Sequence, residues 1–238
     1  MSEEKTGPRS RRERPAKAAL TRAGIVATAV ELVLAEGLAR VTMRRLAQEL
    51  DTGAASLYVY VRNTDELHAA VLEELLGAVD LAPATAAGDW RDRLERVLTS
   101  YADVLFEYPG LAQSALVARP SGPLYLNLVE ALLALLDEGG VPKAQAAWGI
   151  DLLLLFATAT AAEHAASDPR AKADDGRQSE QWAALATAVR NLSAETHPQI
   201  AAHGDDLLSG PGEARLAWGF RVLINGVLGT PKPEGESK

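Results

Sequence analysis

The sequence contains no cysteine, which excludes both a disulfide framework and a cysteine-ligated zinc site. Aromatic residues make up only 5% of its 238 positions, while Ala and Leu are abundant, a bias toward helices rather than sheets. No run of alternating β-branched residues lasts beyond a few positions, so an all-α chain is expected. Long apolar runs are also missing. The most apolar window, residues 150–162, is interrupted by Asp151, Thr158 and Thr160 and falls short of a membrane span. The first residues are charged with no apolar core behind them, unlike a secretory signal. A cytoplasmic protein without membrane contact is therefore expected.

Catalytic signatures are absent too. There is no Gly-rich phosphate loop, nucleophile elbow or zinc motif. The acidic pairs Glu73-Glu74, Asp174-Asp175 and Asp205-Asp206 are sequence neighbours, which diverge on a helix. His68, His197 and His203 lie in polar surroundings without ligand spacing and read as surface residues. No enzyme, cofactor or bound metal is expected.

Positive charge is scarce overall, at a formal net of −8, but it is unevenly placed. Residues 1–62 hold 11 basic and 7 acidic side chains, against 13 and 25 in the rest. One end of the molecule can attract phosphate while the other repels it. Residues 1–19 are polar, carry Arg9, Arg11, Arg12, Arg14 and Lys17, and read as a flexible basic arm.

A head over residues 20–80 follows. Its first helix starts at the N-cap Thr21, buries Ile25, Ala29, Leu32 and Val33, and stops at Gly37. A second helix runs from Thr42 through Leu46 and Leu50, Asp51 and Thr52 turn the chain, and a third is expected from Gly53 to about Arg62. Asn63 and Glu66 then form a capping box for a linking helix that reaches about Val79. Helix, tight turn and helix is the arrangement that places a helix in the major groove of DNA. At 100° per residue Leu57 and Val61 share the core side, leaving Ala55, Ser56, Val59 and Tyr60 toward a groove and Tyr58 on the flank, with Ala54 at the helix start as a further expected DNA contact. Ala55 and Val59 suit a thymine methyl, and Ser56 a base edge or phosphate. Tyr58, Tyr60, Thr42 and Thr64 suit phosphate contacts, and Arg44 a guanine edge or the backbone. Arg62 and the arm residues Arg11, Arg12 and Arg14 complete the expected contact set.

The body is expected over residues 88–229, after the linker LAPATAAG, with 230–238 as a tail. Helices are expected at 89–107, between Pro109 and Pro120, at 123–138, from Pro142 to about 166, at 182–192 and at 211–228. Residues 167–180 read as a loop and 193–210 carry no clear pattern. The long helix is apolar on nearly every side (Trp148, Ile150, Leu152, Leu153, Leu154, Leu155, Phe156), so one face should meet a second subunit. Small residues there (Ala144, Ala147, Ala157, Ala159, Ala161) and on the last helix (Ala217, Gly219, Gly226, Gly229) allow close approach. A twofold four-helix interface in a homodimer is expected.

Residues 20–80 resemble the DNA-binding head of the TetR family, through AEGLARVTMRRLAQEL and the LY-x-Y-V-R-N-x-x-x-L run after the turn. DWRDRLERVLTSYADVL, ARPSGPLY and LAWGFRVLINGV are similar in order and spacing to the body of the tetracycline-repressor subgroup. The resemblance implies a three-helix head on a helical ligand-binding body, acting as a dimeric repressor that a small molecule releases from a double-stranded palindromic operator. An activator of the same type, or an effector-independent DNA-binding protein, fits the same residues.

Three departures from the family pattern stand out. Asp51 occupies the turn position usually held by Gly, and Val59 one often held by an aromatic or His. The two ligand-contacting His positions of the subgroup are matched by Ala115 and Leu155, and only Glu163 retains an acidic metal partner. A metal-free, mostly apolar pocket for an apolar or aromatic effector is expected, with Tyr101, Gln113, Arg119, Asn127, Phe156, Thr158 and Glu163 as its contacts. Tyr125, Asp151 and His164 are further polar residues within these helices.

Overall fold

The computed structural model describes residues 19–117, 120–164 and 175–233, apart from the side chains of 109, 164 and 175–181. Its regular structure is entirely helical among the described residues. Arg11, Arg12, Arg14 and Arg119 lie outside them.

The head is built from short, well-capped helices. α1 (Arg22–Glu36) begins where Thr21 Oγ1 accepts the Gly24 N–H at 3.1 Å. It ends at Gly37, whose φ of 82° suits glycine alone at little cost. α2 (Met43–Glu49) begins where Thr42 Oγ1 accepts the Arg45 N–H at 3.1 Å. At its end the Thr52 N–H bonds Ala47 O at 2.8 Å and the Asp51 N–H bonds Gln48 O at 3.1 Å. With Asp51 at φ 47° this is a Schellman turn in which an aspartate occupies the left-handed position.

α3 (Ala54–Leu57) is one turn long, shorter than the helix expected to reach Arg62. The cause is local: Tyr58 to Val61 are all aromatic or β-branched and favour helix poorly. The N–H groups of Tyr60 and Val61 both bond Leu57 O, at 2.9 and 3.0 Å, so the chain tightens and still returns Val61 to the core. α4 (Thr64–Leu75) starts where Asn63 Oδ1 accepts the Glu66 N–H at 2.8 Å. Glu66 Oε2 reaches back to the Arg62 N–H at 2.9 Å, one residue beyond the usual capping-box partner. A 3-10 turn, Leu76–Ala78, extends α4 into the body.

The expected linker is packed rather than loose. It contains a 3-10 turn, Ala82–Thr85, with Pro83 buried. The buried Arg93 ties it down by donating to Ala86 O and to Glu138. The body then consists of α5 (Trp90–Glu107), α6 (Pro109–Ala115), α7 (Pro123–Glu138), α8 (Lys143–His164), α9 (Asp175–Arg190), α10 (Pro198–Leu208) and α11 (Gly212–Gly229).

Two body elements differ from expectation. Residues 175–180, read as loop, belong to α9, and α10 had no visible pattern in the sequence. α10 has no fully buried residue, and its half-buried stripe of Ile200, Gly204 and Leu208 is short and interrupted by a glycine, too weak a signal to mark it. Its Gly204 faces α9, where an added Cβ would stand 3.2 Å from Val189 Cγ1.

α8 is the centre of the body, packed by α5, α6, α7 and α11. It is apolar over Lys143–Glu163 because Ile150, Leu153, Leu154, Ala157 and Ala161 are core residues. Gln145 Nε2 donates to Val227 O and Thr230 O, both at 3.0 Å, fixing α8 against the end of α11.

Candidate nucleic-acid interface and body cavity

The turn after α2 divides the next eight residues cleanly into core and surface. Leu57 and Val61 are fully buried, whereas Tyr58, Val59 and Tyr60 are 51%, 80% and 37% exposed. Ala55 and Ser56 are exposed on the same side, and Ala54 is half-buried against the core. Thr42, Arg44, Arg62 and Thr64 are exposed as well. An apolar-and-hydroxyl ridge with aromatic flanks therefore stands out from a rigid three-helix base. None of the described residues covers it.

Adjacent arginines take opposite parts. Arg45 donates to Glu36 Oε1 at 2.6 Å and Glu49 Oε2 at 2.7 Å, which fastens α2 to α1. The hydrogen bond from Arg45 holds the Glu36 carboxyl below its ordinary pKa, and Glu36 and Glu49 raise that of Arg45 in return. Arg44, about 100° away around the helix, is exposed and carries no such tie among the described residues.

α4 joins this base to the body through two polar contacts. The first corrects the surface reading of His68. It is half-buried, with Nδ1 3.0 Å from Ser114 Oγ of α6. Burial lowers its pKa, against the opposing influence of Asp65 and a backbone hydrogen bond to Val41. The second is Glu73, whose carboxylate sits on the first turn of α7. Oε1 accepts the Leu124 N–H at 2.6 Å, and Oε2 the Gly122 N–H at 3.2 Å. Glu74, its sequence neighbour, is exposed and takes no part. A Gly-Pro-Leu-Tyr helix start has no capping side chain of its own, and that was the one sequence signal for an acceptor from elsewhere.

Behind these contacts the body holds a small cavity between α5, α6, α7 and α8. Tyr101, Ala115, Leu116, Pro120, Tyr125, Asp151, Leu154, Leu155 and Thr158 line it, around about 30 Å³ of space. That is room for little more than one water. Tyr101 and Thr158, both expected contacts, meet here with their hydroxyls 2.8 Å apart, and Thr158 donates to Leu154 O. Ala115 and Leu155 also stand in the wall.

The other expected contacts lie elsewhere. Gln113, Asn127 and Glu163 are exposed and outside the lining, and Phe156 packs edge-on against Phe220 of α11 with centroids 5.5 Å apart. Pro120, Leu116 and Leu154 complete the wall without having carried a polar signal. A larger cleft of about 640 Å³ separates head and body, but Arg22, Arg62, Asp65, Glu66, Glu73 and Glu74 make it charged. It offers no apolar enclosure.

One face of α8 and α11 is left uncovered by the described residues. Trp148, Leu152, Leu155, Trp218 and Val222 are between 43% and 69% exposed along it. Gly226 and Gly229 open onto empty space there. Gly219 and Ala157 do not contribute to this face. Gly219 is used within the subunit, where a Cβ would stand 2.3 Å from Phe156 Cζ, and Ala157 is core.

This geometry has close counterparts. Residues 25–71 match the model of bacterial regulatory proteins of the tetR family, and residues 82–230 the tetracyclin repressor-like C-terminal domain. A candidate transcription regulator from Streptomyces coelicolor is 57% identical, covering 92% of this chain and all of that one, with a TM-score of 0.78. Apo ActR from the same organism is 34% identical over 89% of this chain and 98% of that chain, with a TM-score of 0.76. The repressor DrrR1 of Streptomyces coeruleorubidus is 25% identical over 91% of this chain and 80% of its own length. An HTH-type transcriptional regulator of Saccharopolyspora erythraea is 33% identical, but this chain spans only 54% of that protein's length. The C-terminal match alone takes in more than half the sequence, and the chain belongs to the TetR family of ligand-responsive, DNA-binding transcription regulators.

Proposed function

We propose that this protein is a cytoplasmic homodimeric repressor that a small apolar or aromatic molecule releases from an inverted-repeat operator. The observation that carries the reading is the division of the 54–61 segment, with Leu57 and Val61 anchoring it and Ala55, Ser56, Tyr58, Val59 and Tyr60 presented outward. In the dimer Trp148, Leu152, Trp218 and Val222 of each subunit are buried at a twofold axis, and the two ridges meet successive major grooves. Thr42, Thr64, Arg62 and the arm residues Arg11, Arg12 and Arg14 hold phosphate, while Arg44 reaches a base or the backbone. The body binds and signals; it performs no reaction.

Effector binding is assigned to the Tyr101–Thr158 cavity. ActR, a relative of similar body, is known in complex with actinorhodin and with (S)-DNPA. Leu116, Leu154 and Leu155 supply apolar contact for an aromatic ligand of this kind, and Ala115 and Leu155 offer no nitrogen to a metal. Gln113, Arg119, Asn127, Phe156 and Glu163 join the site only if it widens. The ligand need favour the non-binding state by only ~1–3 kcal/mol to change operator affinity ~5- to 150-fold.

The test is selection of bound duplex from a random pool, followed by footprinting. A protected inverted repeat with half-sites about one helical turn or more apart is expected. A monomer on a single asymmetric half-site overturns the reading. Release by an actinorhodin-like aromatic probe should persist in the presence of a chelator; a strict requirement for added magnesium overturns the metal-free pocket.

A further inference from the structure

Resting on the assignment of the effector cavity above, we infer that Glu73 is a positioning residue that transmits the state of the cavity to the DNA-binding head. Its carboxylate caps α7 from another helix. Oε1 accepts the N–H of Leu124 at 2.6 Å and Oε2 that of Gly122 at 3.2 Å, and both oxygens lie 3.4 Å from the Tyr125 N–H. These are the orphan donors of a helix start that has no capping side chain of its own, and an anion there also meets the positive end of the helix dipole. Gly122 is what admits the carboxylate: an added Cβ would stand 2.5 Å from Glu73 Cδ. Its φ of −86° is open to any residue, so space and not backbone conformation requires glycine.

The corner that Glu73 grips is also a wall of the cavity. Pro120 and Tyr125, on either side of the gripped amides, face Tyr101 and Thr158 across about 30 Å³. An occupant larger than a water needs the wall to give, and Pro120 and Tyr125 put the gripped corner in that wall. α7 then leaves the carboxylate or draws Glu73 with it. Glu73 lies in the last turn of α4, whose first turn holds the end of the groove-facing segment through the Arg62 N–H to Glu66 bond at 2.9 Å. Displacement of one end of a stiff helix is thus felt at the other. The strapped state, with the cavity nearly closed, is the operator-binding one.

Linkage makes this measurable without knowing the effector, because a state favoured at the operator is favoured at the corner too. Hydrogen exchange of the full chain, with and without operator duplex selected from a random pool, reads both ends together. In the wild type, duplex binding should protect 53–62 directly and slow exchange of the Leu124 and Tyr125 amides by about 5-fold or more, the lower range of an allosteric coupling. In E73Q, an amide that cannot accept from every donor at once, 53–62 should be protected as before and the slowing at 124–125 lost. G122A breaks the same contact from the other side and should give the same result. The double variant should show no further loss.

Wild-type-sized slowing at 124–125 in both single variants overturns the inference. So does a wild-type corner that ignores duplex while 53–62 is protected. A pool that yields no bound duplex overturns the functional reading and this inference with it.

Discussion

Arg45 and Glu36 make a two-point contact, 2.6 Å to Oε1 and 3.4 Å to Oε2, across the α1–α2 crossing. This fixes the angle at which α2 presents Arg44, the residue before, to solvent. The two arginines should therefore separate in experiment. Arg44→Ala is expected to cost ~1–3 kcal/mol in operator binding, relaxing preference at one base position if it reads a base. The melting temperature should be unchanged. Arg45→Ala should lower the melting temperature instead, and more at low salt than at high salt, because the contact is exposed and screened. Equal loss of operator affinity at constant melting temperature for both variants would reverse the assignment.

Asp51 pays for its left-handed backbone, φ 47°, at the end of α2. Asp51→Gly should be tolerated within about 1 kcal/mol, since glycine removes that strain but adds chain entropy. Asp51→Val should destabilise the protein by about 1–2 kcal/mol and weaken operator binding through the tilted ridge. Urea unfolding and operator titration of the two variants check this. A valine variant as stable as the wild type would show that the turn can adopt another form.

His68 makes stability sensitive to mild acid. Its pKa is lowered in the folded protein because burial at the α4–α6 contact disfavours the imidazolium. The unfolded chain therefore binds the proton first. The contribution of His68 is complete above its ordinary pKa of about 6.5 and is lost as pH falls from there through the depressed folded value. His68→Gln should flatten the loss of melting temperature between about pH 7.5 and 5.5. A steeper profile than that of the wild type would mean that the charged form is stabilised in the fold.

Leu152 is half exposed in the middle of the uncovered α8–α11 face. Leu152→Glu should leave the chain monomeric in sedimentation where the wild type is dimeric, because an unpaired carboxylate would be buried at the proposed axis. Operator affinity should fall steeply with it, since each half-site then binds alone. A dimer persisting at micromolar concentration would place the interface elsewhere.

Much of the head could be read from sequence because its signals are local. Thr21, Thr42 and Asn63 cap their helices through backbone N–H groups three residues ahead. Leu57 and Val61 fall on one face whether the segment is a full helix or a turn, so their burial followed from spacing even though α3 is shorter than expected.

The body divides differently. Apolar periodicity and Gly-Pro punctuation mark α5, α7 and α11, which bury a stripe against the core, while α8 is marked by its Pro142 start and an apolar run around nearly its whole circumference. α10 only half-buries a stripe of three residues, one of them Gly204, and left little trace. The cavity is a matter of tertiary structure alone. Tyr101 and Thr158 are 57 residues apart, and no local rule distinguishes them from the exposed Gln113 and Asn127. Glu73 is the clearest case. The sequence shows an acidic pair on a helix, but the donors that capture one carboxylate lie 49 to 52 residues away. Capping and helix periodicity act within a turn or two and are written in neighbouring residues. Which side chain meets a distant helix end, or closes a wall, depends on how whole helices pack. That is decided only when the core assembles.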